Sequence, residues 1–173
     1  MKTLIVSYSF SGNNRELARH LERRLAADWY EIVERKPRTG WTILLDVLFH
    51  RYPAIMPPNI PWAAYGRTIL VAPIWNGRIA SPLCSFLLLE RRHLGSYSFI
   101  TLCGGGGNKK VAAQLTRLVH HEPEAVLELP VNDLLPAEKK NKLRYTSGYK
   151  VGPADLALFD PALDAIIKPA LPV

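Results

Sequence analysis

KTLIVSYSFSGNNRELARHLERRL, residues 2–25, is the stretch that decides the fold. Leu4-Ile5-Val6 is an apolar, β-rich run that ends at Ser7-Tyr8-Ser9. Continuous rather than alternating apolarity is what a strand buried on both faces requires. Ser11-Gly12-Asn13-Asn14 then breaks the pattern. Beyond it Leu17, Ala18, Leu21 and Leu25 recur at helical spacing with charges between them. The chain therefore opens as strand, tight polar turn and helix.

The same alternation continues outward. Trp29 to Val33 (WYEIV) reads as a second strand and Thr68 to Ala72 (TILVA) as a third. Ser81-Pro82 marks a helix start, with Ser at the N-cap and Pro at the first helical position. That helix carries Leu83, Phe86, Leu87 and Glu90 and ends near His93. Tyr97 to Leu102 (YSFITL) is a fourth strand, Gly104 to Gly107 a glycine loop, and Val111 to His121 a helix. Ala125 to Val131 (AVLELPV) is a fifth strand. Asp155 to Lys168 is a last helix, interrupted or restarted at Pro161. Strands alternating with helices imply right-handed βαβ units and a parallel sheet covered on both faces, an α/β fold in a single domain over residues 1–173. Two segments fall outside a minimal version of it. Gly40 to Trp62 is apolar and then Pro-rich. Its second half should be an irregular loop, and its first half either buries both sides or packs on a partner chain. Lys139 to Gly152 is polar and reads as an exposed connection.

Bulk properties narrow the function classes. At 173 residues the chain is long enough for one full core and too short for two ordinary domains. It is 48% hydrophobic and 21% charged, a globular composition. No apolar run reaches the roughly 18 residues that span a bilayer. The start MKTLIVSYS has no long apolar region and no small-residue cleavage site, so it reads as a buried strand rather than a signal peptide. The two cysteines, Cys84 and Cys103, make no disulfide framework and fit a reducing cytoplasm. A net charge of +7 favours anionic partners. The positive residues are scattered and no nucleic-acid motif accompanies them, so a solvated basic surface is the simpler account.

Ligands of open parallel sheets bind outside the carboxyl ends of the strands. After the first strand come Ser9-Phe10-Ser11-Gly12-Asn13-Asn14, after the third Pro73-Ile74-Trp75-Asn76-Gly77, and after the fourth Cys103-Gly104-Gly105-Gly106-Gly107-Asn108. These loops should converge on one crevice. The first holds two hydroxyls, two carboxamides and a glycine that lets backbone approach a ligand. It sits at a helix N-terminus, where free N–H groups and the helix dipole favour an anion. With no Lys or Arg of its own, it would hold a phosphate by N–H and O–H donors alone. Taken alone, a capped turn that binds nothing explains the same residues equally well.

Together the three loops resemble the flavodoxin-like superfamily. Ser9 to Asn14 is similar to the flavodoxin phosphate loop, T/S-x-T/S-G-x-T, which wraps the phosphate of FMN. Pro73 to Gly77 looks like the second flavin loop, where an aromatic stacks on or near the isoalloxazine. Cys103 to Asn108 falls where the third loop lies, whose backbone contacts the pyrimidine edge of the ring. The resemblance covers about residues 3–121 and implies a five-stranded doubly wound sheet of order 2-1-3-4-5 with FMN at its carboxyl edge. It departs from the family at Asn14, where Thr is usual, in the missing aromatic of the third loop, and in the length of the Gly40 to Trp62 segment. Flavodoxin shuttles are usually acidic, whereas this chain is basic.

Single features have rival readings. Trp75 is either a flavin-stacking ring or a core aromatic. Gly104 to Lys110 fails the spacing of a Walker loop and of a dinucleotide fingerprint. Lys109 and Lys110 either attract a dinucleotide phosphate or are solvated. Cys103 reads as a buried strand-end residue and Cys84 as core. His120-His121-Glu122 reads as a helix C-terminus rather than a metal site. There is no G-x-S-x-G elbow, no C-x-x-C and no evident acid–base dyad, which suits chemistry carried by a cofactor. The resemblance thus implies an FMN-binding flavoprotein, in electron transfer or in reduction linked to NADH or NADPH, with a redox partner protein or a homodimer left open. The alternative is a flavodoxin-fold interaction protein that has lost tight FMN binding, with the apolar 40–62 segment as its partner surface.

Overall fold

Residues 2–7 form an interior strand of the sheet because Leu4, Ile5 and Val6 find apolar neighbours on both faces. The computed structural model describes residues 1–107 and 109–167. In order, the elements are β1 (Lys2–Ser7), α1 (Asn13–Leu25), β2 (Asp28–Glu31), α2 (Gly40–Phe49), β3 (Tyr65–Val71), β4 (Ile74–Trp75), β5 (Arg78–Ile79), α3 (Ser81–Glu90), β6 (Ser96–Cys103), α4 (Val111–Val119), β7 (Ala125–Pro130), α5 (Leu143–Gly148), α6 (Pro153–Leu158) and α7 (Asp160–Ile167). The main sheet runs β2-β1-β3-β6-β7, and its pairings are parallel. Counted along the chain, its five strands have the expected order 2-1-3-4-5.

The pleat divides the core in two. Leu4 and Val6 of β1 face one side, with Leu70, Phe99 and the α3 and α4 residues Leu83, Phe86, Leu87 and Leu115. Ile5 faces the other, with Ile69, Ile100 and the residues Leu17 and Leu21 of α1, Leu156 of α6 and Leu163 of α7. Each fully buried leucine contributes about 1.5–3 kcal/mol. Arg67 of β3 donates to the carbonyls of Ile166 (2.8 Å) and Ile167 (3.0 Å), placing a cation at the C-terminus of α7.

Several sequence expectations need correction. Ser81 is the first residue of α3 rather than its cap, and Ala80 takes the N-cap with no side-chain bond. The interruption expected at Pro161 is present: the helical segment breaks at Phe159 and restarts at Asp160-Pro161, near the first-turn position proline favours. Lys168 lies outside the described residues. The first half of the 40–62 segment does not bury both sides within this chain. It is a helix, started by a capping box between Thr39 and Thr42. Trp41 (67%), Leu48 (63%) and Phe49 (62%) stay exposed on it, while Asp46 is buried. The polar 139–152 stretch is not only an exposed connection, because Val151 is buried at its end.

Among the described residues no helix is long and apolar enough to cross a membrane, and no group of three or more His, Cys, Asp or Glu could hold a metal ion. His120 caps α4 in the left-handed conformation, as a helix-end reading of that stretch expects.

Candidate functional site

The carboxyl ends of β1, β3 and β6 lie side by side, because these strands are neighbours in the sheet. Their three loops therefore share one edge. Each is built differently.

The first loop turns at Gly12, whose φ of +97° belongs to the left-handed region that glycine adopts without strain. The Gly12 N–H is taken by Ser9 Oγ (3.1 Å). No side chain caps α1, so the N–H groups of its first turn, at Asn13, Asn14 and Arg15, have no intrahelical acceptor. The two carboxamides, expected as ligand groups, bond to other segments of the chain. Asn13 donates to the Tyr149 carbonyl (2.8 Å) and accepts from the Val151 N–H (3.1 Å). Asn14 donates to the Leu102 carbonyl (3.1 Å) and accepts from the Leu102 N–H (3.0 Å). What these positions offer a ligand is backbone. The hydroxyls of Ser9 and Ser11 remain at the turn, and Phe10 is half exposed. Lys150 Nζ donates to the Ser11 carbonyl at 2.6 Å. It supplies a cation that the loop itself lacks. Sequence reasoning missed it, because nothing local links residue 150 to residue 11.

The second loop is a two-residue hairpin. Ile74 pairs with Ile79 and Trp75 with Arg78. Asn76 (φ 48°) and Gly77 (φ 73°) form the turn, with the two positive φ values of a type I′ turn. The Asn-Gly pair was the available signal, but strands of two residues carry no periodicity. Trp75 meets Tyr8 edge-on, with ring centroids 5.9 Å apart. The Arg38 guanidinium lies 5.4 Å from the Trp75 ring centroid. Arg38 is bound in a fork to Glu34 and donates to Asp46 at 2.8 Å. Tyr8 donates to the same Glu34 (2.9 Å), and burial, then the Glu34 charge, pushes its phenol above the ordinary range. Pro73 closes the hairpin by accepting from the Ala80 N–H (3.0 Å).

In the third loop, Gly105 and Gly107 face open space, whereas a side chain at Gly106 would press on Pro130. Gly104 accepts from the Asn132 N–H (3.1 Å). Asn108 lies outside the described residues. Cys103 is buried 3.9 Å from Glu128, and burial, then that carboxylate, pushes its thiol up to about 11. Burial pushes Cys84 up to about 12. Neither thiol is a nucleophile near neutrality. Folded protein at pH 8 is expected to resist Ellman's reagent, and both thiols should react at once in denaturant. Rapid reaction of Cys103 in the folded state would contradict this geometry.

A cleft of about 880 Å³ opens beside these loops, lined by His50, Asn76, Arg78, Lys109, Gln114 and Arg117 among others. Residues 9–14 do not line it.

Solved structures of other proteins resemble this architecture. A flavoprotein of Lactobacillus acidophilus in complex with FMN superposes with a TM-score of 0.65 at 19% identity, over 73% of this chain and 92% of that one. The fold is flavodoxin-like. The apo form of the flavoprotein from the same organism gives 0.59 at 20% identity, over 73% and 91% of the two chains. A protein of Bacteroides eggerthii assigned as a flavoprotein gives 0.63 at 17% identity over 97% of this chain and 99% of its own. No protein-family model matches this flavodoxin-like chain, and no curated protein matches it in sequence.

Proposed function

We propose that this chain is an FMN-binding flavoprotein, with the cofactor spread across the three loops at the carboxyl ends of β1, β3 and β6. The observation that carries this reading is the uncapped first turn of α1. Its N–H groups and helix dipole suit a phosphate, and Lys150 beside Ser11 adds a positive charge. The donor set thus fits the group. Ser9, Ser11 and the backbone N–H groups of Asn13 to Arg15 would hold the phosphate. Trp75, fixed by Tyr8 and Arg38, would offer a ring for stacking. Gly105 and Gly107 would let backbone come close to the polar edge of the ring. Bound flavin supplies hydride or electron transfer, and the protein's part is to hold and orient it. The open glycine side leaves room for a reductant, NADH or NADPH, or for a redox partner protein. The basic surface suits a reductase better than an acidic electron shuttle.

The test is the visible absorption of purified protein, recorded after FMN addition and desalting. Retained flavin is the expected result. Trp75→Ala should weaken retention by about 1–3 kcal/mol, the range for stacking of a heteroaromatic base on an aromatic side chain, and Trp75→Phe should keep most of it. Equal retention in wild type and Trp75→Ala would remove Trp75 from the site. The exposed apolar stripe of α2 favours a second reading, a flavodoxin-fold interaction protein, and a wild type that retains no FMN would put that reading in front.

A further inference from the structure

The cleft beside the hairpin has a charge pattern that the first loop does not explain. Four cations line it: Arg78 from β5, Lys109 and Lys110 before α4, and Arg117 from the last turn of α4, with His50 at the end of α2 also lining it. No carboxylate lines it. Among the described residues none of the four cations is in an ion pair. The acidic residue of the adjoining recess, Asp46, is bound by Arg38. Carboxamides of Asn76 and Gln114 complete the wall. The Gln114 side chain is fixed, since its oxygen accepts from the Ile79 N–H (3.1 Å) and its nitrogen reaches Cys84 Sγ (3.6 Å). At about 880 Å³ the space is that of a small-molecule site.

Unpaired cations gathered around a cavity repel one another, and a polyanion relieves that repulsion. Guanidinium groups bind phosphate oxygens in a fork, and lysines add charge at the mouth. The cleft shares Asn76, Gly77 and Gly107 with the second and third loops but nothing with the first. We infer that this cleft binds a second ligand, a small molecule bearing clustered phosphates, and holds it against the open side of the flavin loops. Its role as a co-substrate site rests on the flavin reading. Its affinity for anions does not.

Inorganic pyrophosphate is the probe, titrated calorimetrically into the purified protein with and without added FMN. Measurable binding that weakens at least tenfold in the double variant Arg78→Ala/Arg117→Ala, and falls as salt rises, is the expected result. Circular dichroism checks that the variant folds, and Lys109→Ala/Lys110→Ala, at exposed positions, should weaken binding in the same direction. Pyrophosphate binding in protein that retains no FMN would sink the flavin reading and leave this one standing. Three results overturn the inference: no pyrophosphate binding by wild type at millimolar concentration, equal affinity in wild type and both double variants, or displacement of pyrophosphate by one equivalent of FMN. The last would make the cleft the cofactor's own phosphate site.

Discussion

Arg38→Ala should cost about 3–5 kcal/mol of folding stability, the largest single effect expected outside the apolar core. The Arg38, Glu34 and Asp46 side chains are only 5%, 10% and 8% exposed. Deleting the guanidinium leaves two carboxylates in a site with little water, with only the exposed Arg51, 3.9 Å from Asp46, as a distant counter-charge. Natural domains have about 5–15 kcal/mol in total, so a large share is at stake. For a chain of this size the melting temperature should fall by about 10 °C. Urea denaturation measures the effect directly. Adding Glu34→Gln and Asp46→Asn to Arg38→Ala should restore much of the loss, since no stranded charge then remains. A single variant within 1 kcal/mol of wild type would mean that the cluster relaxes into water. Because Arg38 also lies over Trp75 and Asp46 belongs to α2, the same variant should loosen both the hairpin and the inserted helix.

The second large effect is at Asn14. β3 ends at Val71, paired with Ile100, while β6 runs on to Cys103. Leu102 therefore stands past the end of its neighbour on that side. The Asn14 carboxamide takes that place, answering both the N–H and the C=O of Leu102 within a buried site. Asn14→Leu leaves the buried Leu102 N–H unpaired and its C=O with only the longer bond from the Thr101 hydroxyl (3.3 Å), so a loss of about 1–3 kcal/mol is expected in urea. Asn14→Thr, which restores the residue usual in the flavodoxin phosphate loop, can answer only one of the two groups well and should fall between. If Asn14→Thr matched wild type, the double hydrogen bond would contribute nothing.

Asn14 also shows where the sequence could be read and where it could not. The interior strands of the main sheet announce themselves because a strand covered on both faces must be largely apolar, as Leu4 to Val6 and Ile69 to Ala72 are. α1 does so through Leu17 and Leu21, which recur on one face. α2 does not, because an apolar helix without a polar face has no period to detect, and its capping box uses Thr at both ends rather than the common acidic partner. The three loops could be placed on one edge from strand order alone. What each side chain does there could not. Asn13 and Asn14 look like ligand groups in a polar turn, but their partners are Tyr149, Val151 and Leu102, far along the chain. Arg78, Lys109 and Arg117 look like scattered surface charge until α4 and the hairpin set them around one cleft. Spacing along a helix or strand is local information, and these contacts are made between elements.

The bond from Asn13 to residues 149 and 151 also sets an order of events during synthesis. A chain made from its N-terminus has all five sheet strands once Pro130 has emerged. Tyr149, Lys150 and Val151 do not yet exist at that moment, so the turn at Ser9 to Asn14 is still without its clasp. The first segment made is among the last to be finished. Closing it joins residues more than 130 positions apart, a long loop with an entropic cost to match. On the ribosome, the sheet strands are therefore all made before the turn at residues 9–14 can be clasped.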